Sequence, residues 1–177
     1  MNDHVAEISI LSPVELEAHL FDLADLLHAC VHAGANINFV LPFSQDQAMD
    51  FWRQKVVAPA RAGTRVVWVA RTSGDIVGSV QLDTDTPPNQ PHRAEVTKLL
   101  VHPDFRRRGI ARRLMADLER HAAGLGRSLI TLDTRTGDKA EPLYVSLRYT
   151  VVGTIPDFCR DPFEDRLHPT TIMYKLL

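Results

Sequence analysis

The chain has 177 residues, 45% hydrophobic and 24% charged, with a formal net charge of −2. That balance excludes a strongly basic nucleic-acid or membrane-surface binder and a disordered or collagen-like chain. The length suits one domain whose core needs neither disulfides nor metal. Two cysteines, Cys30 and Cys159, are too few for a disulfide framework, and no apolar run reaches the roughly 18 residues of a membrane span. Met1-Asn2-Asp3-His4 lacks a signal-peptide pattern, so a cytoplasmic protein is expected.

Glu7–Leu11 reads as a short strand. In Ser12-Pro13-Val14-Glu15 a capping serine, a proline at the first helical position and a glutamate form a capping box. It opens a helix predicted to run to about His32, with Leu16, Leu20, Leu23, Leu27 and Val31 on one face. Ala33–Phe43 is irregular, and Ser44-Gln45-Asp46-Gln47 is a second capping box, starting a helix to about Arg61. Thr64–Arg71 and Asp75–Leu82 are β-rich, and Thr72-Ser73-Gly74 joins them as a hairpin. Thr84–Pro91 holds three prolines and is a loop. A strand Ala94–Val101 is followed by a helix Ile110–Leu125, with Ile110, Leu114, Leu118, Ala122 and Leu125 facing a sheet. Then come a strand Ser128–Asp133, a short helix Asp138–Leu147, a strand Thr150–Ile155, a loop Pro156–Pro169 and a final strand Thr170–Leu177. The expected fold is a single-domain α/β (α+β) architecture: a mixed, mostly antiparallel sheet of about seven strands flanked by about four helices.

Between strand and helix, Arg106, Arg107, Arg108, Arg112 and Arg113 crowd the start of the helix around Gly109 and Ala111. Five of the 20 basic residues fall in this short segment, which holds no acid, so the rest of the chain is distinctly acidic. Unpaired N–H groups already make a helix N-terminus positive, and five arginines there are favourable when an anion sits on it. The segment reads as a pyrophosphate seat; a solvated basic surface is the alternative. Ile110 after Gly109 excludes a Walker loop, and a single glycine excludes a dinucleotide fingerprint.

Val96 to Ala111 as a whole, with Arg106, Gly109 and Ala111 at the diagnostic positions of Arg/Gln-x-x-Gly-x-Gly/Ala, resembles motif A of the GCN5-related N-acetyltransferase (GNAT) family. The predicted element order matches that fold over nearly the whole chain. Val31-His32-Ala33-Gly34-Ala35-Asn36, Arg93-Ala94-Glu95-Val96, Leu132-Asp133-Thr134 and Arg166-Leu167-His168-Pro169-Thr170 look most like the tabtoxin-resistance acetyltransferases of that family.

The resemblance implies acetyl-coenzyme A as donor, with Leu99, Leu100, Val101, Arg106, Arg107, Arg108, Gly109, Ile110, Ala111 and Arg112 as its binding set. Pantetheine is expected to pair with the splayed edge of Lys98–Val101, where an N–H of Leu99 or Leu100 meets the thioester carbonyl. A general base is needed, because an alkyl amine with a pKa of roughly 10 is mostly protonated at neutral pH. Glu95 lies four residues before Leu99, so alternation predicts that the two share a face. It reads as that base or as an edge carboxylate paired with Arg93 or Lys98. Asp133 reads as a second base, a partner for the substrate ammonium, or a turn cap. Tyr144 is the expected general acid, with a packed, hydrogen-bonded aromatic as the alternative. His32, Asn36 and Asn38 are expected beside the acceptor, and Phe39, Phe43, Phe51 and Trp52 read as helix packing or a pocket wall.

His28 and His32 have the i, i+4 spacing of metal ligands but no third ligand in view, so no metal is expected. The implied activity is acetyl transfer to a small amine or amino-acid-like acceptor, a toxin or antibiotic among the candidates, with nitrogen or oxygen acylation open. Acetylation of protein N-termini or lysines and a non-catalytic acyl-CoA sensor remain as alternatives. Neither nucleic acid nor membrane is an expected partner, and the chain is expected to be a monomer or homodimer.

Overall fold

The computed structural model describes residues 6–177. Met1-Asn2-Asp3-His4, and the leader reading made on it, lie outside the described residues. One seven-stranded sheet runs in the order β1-β2-β3-β4-β5-β7-β6, built from β1 (Glu7–Leu11), β2 (Arg65–Thr72), β3 (Asp75–Asp83), β4 (Arg93–Val101), β5 (Leu129–Arg135), β6 (Thr150–Arg160) and β7 (Leu167–Leu176). Every neighbouring pair is antiparallel except β4 and β5. The helical segments are α1 (Pro13–Ala18), α2 (Leu20–His32), α3 (Gln45–Trp52), α4 (Ala58–Arg61), α5 (Ile110–Gly124) and α6 (Ala140–Ser146). A π-helical stretch, Arg53–Val57, joins α3 to α4.

Both capping boxes form. Ser12 accepts from the Glu15 N–H while Glu15 accepts from the Ser12 N–H, and Ser44 and Gln47 repeat the arrangement. The expected continuous helix to His32 is interrupted at His19, whose φ of −105° and ψ of 19° depart from helix, and whose Nδ1 pairs with Asp22 of the next segment at 2.9 Å. The turn between β2 and β3 is the expected hairpin, with Ser73 and Gly74 both at positive φ.

The sheet buries two faces. On one, Leu114, Met115 and Leu118 of α5 and Tyr144 of α6 pack against Trp68, Val80, Ala94, Val96 and Ile130. On the other, Leu23, Leu27, Val31, Ala48 and Trp52 cover Val67, Val69 and Leu100. Gly78 on β3 lets α5 lie close to the sheet, since a Cβ there would meet Ile110 at 3.0 Å and the Leu100 carbonyl at 3.2 Å.

The expected loop Pro156–Pro169 is largely strand. β6 continues to Arg160 and β7 begins at Leu167, leaving Asp161–Arg166 as the turn. Pro156 is tolerated because β6 is the sheet's outer strand and needs no N–H on its open side, and a register shift between Ile155 and Cys159 absorbs Asp157 at a φ of 50°.

Candidate active site

β4 builds the site through two departures from regular pairing. Its parallel ladder with β5 covers only Arg93, Ala94 and Glu95, so the two strands splay from Val96 onward. On the other side, Gln81 pairs with Thr97 and Ser79 with Leu100, which puts one extra residue into β4 as a bulge. Lys98 stands there at a φ of 51°.

The bulge reverses the side-chain alternation. Ala94, Val96, Leu99 and Val101 pack on the α5 face, whereas Leu100 joins the core under α2 and α3. Glu95 therefore shares its face with Leu100 and not with Leu99, which corrects the spacing argument: alternation holds only through an unbulged strand.

A cavity of about 900 Å³ opens along this splay. Its walls include Glu95, Lys98, Leu99, Leu100, Val101, Asp133 and Tyr144, together with Arg106, Arg107, Gly109, Ile110, Ala111 and Arg112 and with Asn36 and Asn38. His32 is not among them. It is exposed, its Nδ1 lies 3.0 Å from the His28 carbonyl, and it borders a separate depression with Leu41 and Phe43. The His28 and His32 rings lie 4.0 Å apart, and among the described residues no group of three His, Cys, Asp or Glu side chains is arranged to hold a metal.

The five arginines separate. Arg106 Nε donates to the Val101 carbonyl at 3.2 Å, and Arg112 reaches Ser146 Oγ on α6 at 2.7 Å. Arg108 donates to the Asp104 carbonyl and stacks on Phe105 at 5.0 Å, away from the cavity. Arg113 donates to the Ala6 carbonyl. Arg107 lines the cavity in a left-handed conformation, φ 65°, and Gly109 follows at φ 76° with no side-chain cap on the helix behind it. The first N–H groups of α5 are thus without a side-chain acceptor, next to two cavity-lining arginines, Arg107 and Arg112. That arrangement favours an anion.

The titratable groups differ in their ties. Glu95 is half-buried, with one oxygen 3.5 Å from Arg93. Asp133 accepts from Thr170 Oγ1 at 2.9 Å, and that hydroxyl also reaches the Thr134 carbonyl. Tyr144 is buried yet borders the cavity, and its hydroxyl has no protein hydrogen bond among the described residues. Burial, reinforced by Asp133 and Asp138, raises its pKa and keeps the phenol protonated. Cys159 of the cavity wall accepts from Asn36 Nδ2 at 3.2 Å.

One feature escapes the sequence reading. Lys98, inside motif A, lies over the rings of Phe39 and Phe51 at 5.7 and 5.6 Å, and burial lowers its pKa to about 8, opposed by Asp133 and aided by Arg65. A lysine directly before the apolar run Leu99-Leu100-Val101 was the available signal. The turn Asp161–Arg166 also reaches the cavity. Asp161 accepts from the N–H groups of Phe163 and Glu164 at 2.8 and 3.2 Å, from Arg135 at 3.3 Å, and lies 3.0 Å from His168 Nε2. The Leu41 N–H bonds the Pro162 carbonyl at 2.9 Å, and the Phe163 ring packs on Gly34.

Residues 26–147 match the acetyltransferase (GNAT) family. An uncharacterized N-acetyltransferase of Azospirillum brasilense, from the hisH-hisA intergenic region, is 33% identical over 125 residues, which cover 70% of this chain and 72% of that one. An acetyltransferase of Pectobacterium atrosepticum is 40% identical over 88 residues, 49% of this chain and 59% of that one. Among solved structures, the ribosomal-protein-alanine N-acetyltransferase of Brucella melitensis superposes with a TM-score of 0.76 at 21% identity, over 97% of this chain and 99% of that one. A Salmonella typhimurium protein solved with its cofactor acetyl-CoA gives 0.76 at 19% identity, over 97% and 94%. The superpositions establish the fold, and no described helix is long and apolar enough to cross a membrane. On the family match and the Azospirillum relative, the chain belongs to the acetyltransferase (GNAT) family and is an acyltransferase.

Proposed function

We propose that the chain acts as one catalytic domain, transferring the acetyl group of acetyl-coenzyme A to the nitrogen of a small, amino-acid-like acceptor by direct attack in a ternary complex. One observation carries the reading: the uncapped N-terminus of α5 and the splayed edge of β4 meet on the wall of a single cavity. Family membership supports the donor, as does the acetyl-CoA held by the Salmonella fold neighbour.

In this reading the N–H groups from Arg107 to Ala111, with the side chains of Arg107 and Arg112, hold the pyrophosphate. The edge of β4 beyond Val96 pairs with pantetheine as an added strand would. A backbone N–H at Leu99 or Leu100 donates to the thioester carbonyl oxygen as negative charge develops there. Glu95 takes the amine's proton, directly or through water, and Asp133 holds the ammonium before that transfer. The new C–N bond forms as the C–S bond breaks, and the Tyr144 phenol donates its proton to the departing sulfur. Arg108 contributes its backbone at the turn, since its side chain is engaged with Asp104 and Phe105.

The Asp161–Arg166 turn, tied to Leu41 and packed on Gly34, narrows one side of the cavity and favours a small acceptor over a protein terminus. A non-catalytic sensor is the rival. Replacing Glu95 with Gln, or Tyr144 with Phe, is expected to lower turnover while acetyl-CoA still binds. Unchanged rates in both variants would remove these residues from the mechanism.

A further inference from the structure

Lys98 is a cavity-wall cation on the central strand that the proposed transfer leaves without work. The β4 bulge turns it toward the α2–α3 side, where Phe39 and Phe51 hold its ammonium by cation–π contact at 5.7 and 5.6 Å. Among the described residues no carboxylate forms an ion pair with it and no acceptor a hydrogen bond, although it is half-buried. The nearby acids are engaged elsewhere: Glu95 pairs with Arg93, and Asp133 accepts from Thr170. Asp133 is near enough to favour the charged form but makes no ion pair with Lys98, so a ligand anion at this cavity wall adds a direct contact that the protein does not supply.

We propose that Lys98 is the carboxylate-recognition residue of the acceptor site, so that the acceptor carries an anionic carboxylate close to the amine that is acetylated. The inference rests on the acetyl-transfer reading and narrows its substrate class. Glu95 and Asp133 supply negative charge for the acceptor's ammonium, and Lys98 supplies positive charge for its carboxylate, so the cavity carries both halves of a zwitterion's complement. Phe39 and Phe51 hold the ammonium in place without neutralising it. Burial that lowers the Lys98 pKa to about 8 still leaves it mainly protonated at neutral pH, as the pairing requires.

The test uses the full chain, acetyl-CoA and paired probes: the free L-amino acids and their carboxamides, in which only the carboxylate charge is removed. Thiol release gives kcat and KM for each, and calorimetry on protein saturated with desulfo-coenzyme A gives acceptor binding without turnover. The expected result is at least a tenfold preference in kcat/KM or Kd for one or more free acids over the matching amides. Lys98→Met is expected to bring that ratio close to one through acceptor KM, leaving the KM for acetyl-CoA unchanged, and Lys98→Arg to retain most of the preference. The arginine variant keeps the test valid if the methionine variant fails to fold.

Equal or better use of amides by the wild-type protein overturns the inference. So does a Lys98→Met variant that keeps the preference, one that loses acetyl-CoA affinity, or a protein that binds no carboxylate-bearing member of the panel. Failure to bind acetyl-CoA itself, read in a separate titration, overturns the acetyl-transfer reading and the inference with it.

Discussion

Glu95 and Leu99 stand four residues apart on β4 yet lie on opposite faces of the sheet, because the bulge at Lys98 inserts one residue between them. Glu95 thereby lines the cavity from the same face as Leu100, and its carboxylate is held by Arg93 at 3.5 Å. A carboxylate carried on a central strand, not on a loop, is fixed in place by the sheet on either side.

Replacing Glu95 with Gln is expected to lower kcat at pH 7 by about 10²- to 10⁴-fold, the range for loss of a general base, with KM for acetyl-CoA unchanged. Raising the pH is expected to restore part of the rate, because the free-amine fraction of an acceptor with a pKa of roughly 10 grows. Steady-state rates from pH 6.5 to 9.5 check this; a variant that keeps the wild-type rate and pH profile would assign the base elsewhere.

Replacing Tyr144 with Phe separates chemistry from stability. The ring is buried against Tyr149, with centroids 5.7 Å apart, while the hydroxyl has no protein partner. Little packing is lost, and denaturant titration is expected to give a stability within about 0.5 kcal/mol of wild type. kcat is expected to fall at least about tenfold through loss of the proton donor.

Gly109 adopts a φ of 76° with open space around it, since a Cβ would meet nothing within 4 Å. Gly109→Ala therefore tests backbone strain free of any clash, and about 1 kcal/mol of stability is expected to be lost. The strain acts on the first turn of α5, so KM for acetyl-CoA is expected to rise while acceptor KM stays constant. Chemical denaturation and initial-rate kinetics read the two effects separately.

Cys30 couples stability to alkaline pH. It is buried, it donates to the Val101 carbonyl at 3.5 Å, and burial raises its pKa from 9.0 to about 11. Below pH 9 both folded and unfolded chains keep this proton, so its stabilising effect is complete. Between pH 9 and 11 the unfolded chain releases the proton while the folded chain holds it, and stability falls as pH rises, by at most about 2–3 kcal/mol. Cys30→Ala removes this slope, so its stability deficit relative to wild type is expected to shrink from pH 8 to pH 11.

The architecture was legible where local chemistry is decisive. Two capping boxes, the Ser73-Gly74 turn and the helix start after Gly109 are each specified within a few residues, and each forms as read. Features set by neighbours across the sheet were not. The bulge at Lys98 depends on a register shift against β3, and the extension of β6 through Pro156 depends on that strand lying at the edge. Grouping the five arginines as one anion site failed to anticipate that the Asp104 and Ala6 carbonyls engage two of them. His32, expected beside the acceptor, is exposed and lies outside the cavity wall.

The most direct test of acetyl transfer is thiol release from acetyl-CoA across a panel of small amines, amino acids and β-lactam and glutamate-like compounds, with the products weighed by mass spectrometry. The structure predicts thiol only when protein and a suitable amine are both present, with one acetylated amine, 42 mass units heavier by roughly one acetyl group replacing hydrogen, for each thiol released. Tight binding of acetyl-CoA with no thiol above background for any compound would contradict it.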